Sequence, residues 1–412
     1  VAHVAFNPRG VQRRAAKVVQ PQLAAAAALY AAGEGVADKN GNSKGALVGK
    51  RFGDKIFLED TISDQMTLSS GFYSCIQNGN ILFDFMVVDK NLKLGYDFMT
   101  KSTVFNDPVN EEFFARLSAV QDSPDVVQSL STEVREIMKA FYPQIEVSQK
   151  KYTNHKSLID STLLRSLKYE NLLFNSPFLS QALDFVFGKC VSPDYDSSYY
   201  SCNRFLSAIS DENVHRYILN WMLYHYETSK FLGSENVFID LALNHLKPIL
   251  TPLDTNGYEV LGKAESLNPN RIGTVARDFR FKNIENGQVQ SLHGLEGLFK
   301  IIFFYDPDCH HCKEVFPKAQ ALHDSIIDRG VSFLAMSVIP DENDVREFKK
   351  TLSSKNSSVR FGYEEISGDF TGKYYIPVTP GIYILDANNR VKARGLSLVD
   401  LRELMKTFIG VF

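Results

Sequence analysis

Residues 301–318 read IIFFYDPDCHHCKEVFPK. An apolar run ends in Asp-Pro-Asp, and two cysteines then bracket two histidines at the head of a helix-forming segment. A Cys-x-x-Cys pair can be a redox switch, half of a metal site or a structural disulfide, and its position chooses between them. At a strand-to-helix junction Cys309 stands at a helix N-terminus, where unpaired N–H groups and the helix dipole favour a thiolate. The thiolate is the nucleophile of disulfide exchange. Cys312 lies one turn on, in place to resolve a mixed disulfide. A tetrahedral zinc site would need a second pair of ligands, but the chain has no second Cys-x-x-Cys and His323 stands alone.

The flanking pattern is α/β. A hairpin DFRFKN–IENG–QVQSL leads to the strand FKIIFFY and the helix that opens at the cysteines. The strand VSFLAMSV, a helix through DENDVREFKKTL, a strand around VRFGYE and the hairpin GIYILD–ANN–RVKARG follow. A last helix runs through LVDLRELMKTF, with Ser397 as its cap and Asp400 three residues on. The order is a βαβ unit, then a β-hairpin and a helix.

Residues 270–412 resemble the thioredoxin fold, in particular the bacterial envelope branch typified by TlpA and ResA. NRIGTVARDFRF is similar to the Gly-x-x-Ala-x-x-Phe entry of that branch, with Arg277 where Pro is usual. Pro317, five residues after Cys312, matches the helix-kinking proline. YYIPVTPGIYILD resembles the segment that carries the cis-proline, which implies a cis bond at Thr379–Pro380 beside the cysteines, substrate binding by Thr379 and Pro380, and a trans Pro377. Asp308 replaces the usual Trp before the first Cys, and Phe303 falls where thioredoxins carry a buried acid. Asp306 and Glu314 are then candidates to assist proton transfer, each weighed against a solvated side chain.

Upstream the chain divides into further blocks. Residues 1–47 hold a basic stretch and an Ala-rich apolar block of unclear nature, read as a signal-like segment, an Ala-rich helix, a remnant of cloning or an imperfectly assigned stretch. Residues 48–106 alternate β-rich runs with Asn/Gly turns (GFYSCIQ–NGN–ILFDFMVV–DKN–LKLGYDF) and read as a small antiparallel β domain. Residues 107–250 read as a helical domain that opens with Asp107-Pro108, repeats the device at Ser176-Pro177, and stops the helix FLSQALDFVF at Gly188. Its longest helix spans Ser210 to Gly233, with Val214, Tyr217, Ile218, Trp221, Met222 and Tyr224 as the apolar face. The Pro-, Gly- and Asn-rich stretch 251–271 reads as a linker, and 272–412 as the thioredoxin-like domain. The segments FDFMVVDKN, NDPVNEEFF and HRYILNWMLYHYETSKFLGSENVFIDLA resemble an uncharacterised module that precedes TlpA-like domains in Gram-negative envelope proteins. This implies a periplasmic or outer-membrane-associated location.

A net charge of −3 over 412 residues gives no footprint for nucleic acid. No run approaches the ~18 apolar residues of a membrane span. His215, His225 and His245 are spaced too far apart for a helical metal motif, and no metal is expected. Cys75 reads as core. Cys190 and Cys202 flank the turn-rich VSPDYDSSYYS and are either a bridge or two unrelated thiols.

Three functions fit. The first is a thiol–disulfide oxidoreductase acting on protein thiols and disulfides. In it Cys309 attacks, Cys312 resolves, the dithiol itself is the redox centre without a dissociable cofactor, and His310 or His311 tunes the potential. The second is a non-catalytic interaction subunit of an envelope assembly that uses the fold as a binding module, with residues 48–250 as docking surface. The third is a peroxidase of the peroxiredoxin type, whose pattern wants Thr where Asp306 stands. The intact Cys-x-x-Cys favours the first.

Overall fold

The computed structural model describes residues 47–52, 55–61, 71–77, 80–87, 94–97, 102–105, 108–145, 176, 178–352, 358–364, 370 and 373–410. The Ala-rich segment apart from Leu47, Asp107 with the helix cap expected of it, Pro177 and the side chain of Cys75 lie outside them. The chain forms two compact units, Val1–Met222 and Leu223–Phe412.

In the first unit four antiparallel strands, β1 (Leu47–Phe52), β2 (Lys55–Thr61), β3 (Gly71–Gln77) and β4 (Asn80–Val87), pair in the order β2-β1-β3-β4. A separate hairpin joins β5 (Leu94–Asp97) to β6 (Ser102–Phe105). Helices α1 (Pro108–Asp122), α2 (Thr132–Phe141), α3 (Leu179–Phe185), α4 (Tyr195–Leu206) and α5 (Glu212–Thr228) follow. The sheet meets the helices through rings. Phe72 of β3 stands edge-on to Phe178 at 5.9 Å and to Phe141 at 6.3 Å, and Phe113 edge-on to Phe141 at 5.4 Å. Buried Asn110 closes the contact by accepting from the Met86 N–H (2.7 Å) and donating to the Met86 carbonyl (2.8 Å). One side chain thus serves both polar groups of a buried strand residue.

Two readings in this region are corrected. The polar stretch after Cys190 is not a turn. Asp194 accepts from the Ser197 N–H at 2.9 Å and caps α4, so a helix starts between Cys190 and Cys202 and carries the second of them, and the two are not bridged to each other. Gly188 does not stop α3 either. The chain continues through it as a wide π turn over Val186–Cys190. On α5 the buried residues are Val214, Ile218, Leu219, Met222, Leu223 and Tyr226, a face rotated slightly from the one expected.

The division between the units falls within α5, and the second unit continues with α6 (Ser234–Leu241) and α7 (Thr255–Leu267). The linker reading of 251–271 is thereby corrected. Asp254 caps α7 by accepting from the Gly257 N–H at 2.8 Å, and Val260, Leu261, Ala264 and Leu267 are buried at helical spacing. Gly257, which suggested a loop, has a packing role, because a Cβ there would lie 2.3 Å from the Leu250 side chain. Arg271 forks onto Asp240 of α6 at 2.9 and 2.6 Å, and Arg394 reaches Glu235 at 2.8 Å and the Leu267 carbonyl at 2.9 Å. These helices therefore pack as part of the C-terminal unit.

That unit holds a seven-stranded mixed sheet in the order β13-β12-β9-β10-β11-β7-β8. Its strands are β7 (Arg280–Asn283), β8 (Val289–Ser291), β9 (Phe299–Tyr305), β10 (Val331–Ser337), β11 (Arg360–Glu364), β12 (Gly381–Asp386) and β13 (Val391–Arg394). Strands β9, β10 and β11 are parallel, and β12 runs antiparallel to β9, with Ile382 opposite Phe303. Helices α8 (His310–Ile326), α9 (Glu342–Lys350) and α10 (Leu398–Ile409) complete it. The central strand β9 is buried on both faces. Ile301, Phe303 and Tyr305 join a core with Cys312, Phe316, Phe348 and Leu401, while Ile302 and Phe304 join another with Phe279, Phe370 and Tyr383. Alternation along a strand explains how an unbroken apolar run serves two cores. The architecture is a thioredoxin-like C-terminal domain, preceded by a small antiparallel sheet and a helical block. Its cysteine pair sits at the C-terminal end of the central parallel strand, the usual place for chemistry in such sheets.

Candidate active site

Asp306 follows β9 and shapes the turn into α8. Its carboxylate accepts from the Asp308 N–H at 2.8 Å and its carbonyl from the Cys309 N–H at 3.1 Å. Cys309 is the N-cap of α8, with extended backbone, and its Sγ accepts from the Cys312 N–H at 3.2 Å. A helix that lacks a Ser or Asp cap here uses a sulfur instead, and the first-turn N–H groups face that sulfur.

The two thiols differ sharply. Cys309 is partly exposed and Cys312 is fully buried. Burial pushes the Cys309 thiol up, but hydrogen bonding with the Cys312 and Thr379 groups and with the N–H groups of Cys312 and His311 outweighs it. The net result is a thiol held below its ordinary value. Burial, reinforced by the neighbouring Cys309, pushes Cys312 up to about 12. The Cys309 Sγ donates to the Thr379 carbonyl at 3.7 Å, and the Thr379–Pro380 bond is cis, the one cis peptide among the described residues. Pro377 is therefore trans. Thr379 and Pro380 are thus brought against the cysteine pair from 70 residues away in sequence.

His310 and His311 lie in the first turn of α8 and are largely exposed. Both turn to Glu314, His310 at 3.2 Å and His311 at 3.8 Å. The contact of His311 with the Cys309 sulfur runs through its backbone N–H. Pro317 lies inside α8, where it has no N–H to give the Lys313 carbonyl. Among the described residues no three His, Cys, Asp or Glu side chains converge as a metal cradle.

Residues 272–394 match the AhpC/TSA family. The match spans the sheet and the cysteine pair and leaves out the upstream unit. The thioredoxin-like protein from Bacteroides caccae is a similar solved structure, at 17% identity and TM-score 0.42, over 68% of this chain and 94% of that one. The thioredoxin domain of a thiol-disulfide oxidoreductase from Bacteroides vulgatus is another, at 18% identity and TM-score 0.30, over 34% of this chain and 97% of that one. A thiol:disulfide interchange protein from Bacteroides sp. matches at 19% identity and TM-score 0.30, over 34% of this chain and 92% of that one. No curated protein matches the chain. No described helix is long and apolar enough to cross a membrane.

Two features, the Tyr305 hydroxyl and α7, escaped the sequence pattern, whereas Phe303 stands where the sequence put it. Phe303 fills the place of a buried acid and stands edge-on to Phe316 at 5.1 Å, so no carboxylate lies there. Two residues on, Tyr305 faces the same core as Cys312, its ring stacked on Phe348 at 4.2 Å. The Tyr305 hydroxyl is buried with no hydrogen-bond partner among the described residues. Burial first, and the charge of Cys312 second, hold it well above its ordinary pKa, so it stays a neutral donor. Period-two alternation from Ile301 through Phe303 to Tyr305 was the available signal. The other feature is α7, which the linker reading concealed.

Proposed function

We propose that the protein is a thiol–disulfide oxidoreductase in which Cys309 attacks and Cys312 resolves. The observation that carries this reading is the asymmetry of the pair. One thiol is held low at a helix N-terminus beside Thr379–Pro380, and its partner is buried and pushed up to about 12. In the reducing direction the Cys309 thiolate attacks one sulfur of a substrate disulfide. That bond breaks, a Cys309–substrate bond forms, and the released thiolate takes up a proton. Cys312 then gives up its proton and attacks the Cys309 Sγ, the intermolecular bond breaks, and the second substrate sulfur is protonated. The substrate has gained two electrons and two protons, and the protein holds a Cys309–Cys312 disulfide. The oxidising direction is the reverse. The dithiol is the redox centre, so the reaction needs no dissociable cofactor.

The reading extends to protein thiols and disulfides as substrates. It includes the TlpA and ResA branch and a cell-envelope location, periplasmic or outer-membrane-associated, with residues 48–250 selecting partners. These rest on the family resemblance of the sequence. The test is Cys312→Ser, which should accumulate a mixed disulfide through Cys309 that dithiothreitol releases. Its absence, together with unchanged exchange by Cys309→Ser, would overturn the reading.

The AhpC/TSA match makes peroxide reduction the second reading to measure. The carboxylate of Asp306, in the position of the peroxidase Thr, is already engaged by the Asp308 N–H. Peroxide consumption by the full chain should not exceed that of Cys309→Ser.

A further inference from the structure

A cavity of about 680 Å³ opens beside the redox pair. One wall is the segment Tyr375, Ile376, Pro377 and Thr379, and Thr379 is the residue whose carbonyl meets Cys309. The opposite wall is α7, through Gly262 and Glu265. Both walls belong to the C-terminal unit.

Two observations indicate what this groove takes. Among the described residues Ile376, Val378 and Thr379 make no backbone–backbone hydrogen bond, and the pairing of β12 starts only at Gly381. A free main-chain edge next to a reactive sulfur suits an extended polypeptide, which adds to such an edge through its own backbone. Val378 projects from that edge at 71% exposure. The second observation is Gly262. A glycine inside an exposed helix destabilises it relative to alanine, and a Cβ at Gly262 would meet nothing within 4 Å. The backbone does not require glycine there, and its lack of a side chain keeps the groove open.

We infer that α7, which lies outside the family match, is the outer wall of the groove that receives the polypeptide flanking the substrate cysteine, and that the missing side chain of Gly262 sets how bulky that segment can be. The inference rests on the redox reading above. A small disulfide needs only the Cys309 sulfur, whereas a polypeptide disulfide must also lay its chain between α7 and the Pro377–Thr379 edge.

The experiment is a series at one position in the full chain, Gly262→Ala, Gly262→Leu and Gly262→Trp, with Glu259→Trp as a control on the same helix outside the groove lining. Each protein is assayed with dithiothreitol as reductant, on insulin and on oxidised glutathione. The expected result is a ratio of insulin to glutathione rates that falls with side-chain size, by roughly tenfold or more at Trp, since a built-in clash discriminates by steric exclusion. The Gly262→Ala and Glu259→Trp variants should keep the wild-type ratio. A ratio unchanged across the series, or one that falls equally in Glu259→Trp, would overturn the groove and leave the redox reading standing. A wild-type protein that exchanges with neither substrate would overturn both.

Discussion

Cys309 and Cys312 share one turn of helix and lie on opposite sides of the ordinary thiol pKa, which sets the pH behaviour of the reduced protein. Between the lowered pKa of Cys309 and about 9, the unfolded chain keeps a proton that the folded chain has lost, so stability rises with pH. Above about 9, Cys312, pushed up to about 12, keeps a proton that the unfolded chain loses, and stability falls. Urea denaturation of reduced protein, referenced to Cys309→Ser/Cys312→Ser, should show that maximum, and a flat difference would contradict the assignment. Iodoacetamide at mildly acidic pH should label Cys309 first, because only the thiolate reacts. The Tyr305 hydroxyl yields a sharper test. A buried donor without a partner carries an unrecovered desolvation cost of ~1–3 kcal/mol, so Tyr305→Phe should leave the fold intact and raise the urea midpoint. If the hydroxyl donates to the Cys312 thiolate during resolution, the same variant will also slow release of the mixed disulfide. For the histidines, replacement as His310→Gly or His311→Pro should lower the redox potential by a few tens of millivolts, where ~30 mV is a tenfold change. Equal potentials in all three proteins would assign them to the surface pair with Glu314.

At the scale of elements, the thioredoxin-like half was legible because its signals are local. Alternation and turn residues marked β9 to β13, and Ser397 with Asp400 forms the capping box that starts α10. The cysteine pair was legible for the same reason, as a strand-to-helix junction needs only neighbours in sequence. What was not legible depends on packing. Asp194 and its Ser- and Tyr-rich followers look like a loop until one face, Ser198, Ser201, Cys202 and Phe205, is buried. Gly257 and Gly262 likewise look like linker glycines, and nothing in the sequence states that the first sits against Leu250 and the second borders a groove. Gly257→Ala should therefore cost stability, by ~1–3 kcal/mol for overpacking, whereas Gly262→Ala should gain ~0.5–1 kcal/mol. Thermal unfolding of the two variants reads both signs. A stabilised Gly257→Ala would show that the helix N-terminus relaxes around the new methyl.

On the scale of the whole molecule, the C-terminal unit begins well before the family match. Arg394 on β13, at 3% side-chain exposure, depends on Glu235 of α6 and the Leu267 carbonyl of α7 for its counter-charge and hydrogen bonds. Breaking a buried pair from one side costs ~3–5 kcal/mol because the other charge is stranded. Glu235→Ala should therefore shift the denaturation midpoint far more than Glu265→Ala, whose pair with Lys247 is half exposed. Equal shifts would mean that water reaches Arg394. The pairing also bears on modularity. Residues 272–394 read in sequence as a cassette, ready to be transplanted or shuffled between genes. With Arg394 bound to an acid that lies upstream of that cassette, recombination at its edge would leave this buried guanidinium without its partner. The inheritable block is then a longer one that reaches back at least to Glu235 of α6, and the helices ahead of the redox domain travel with it.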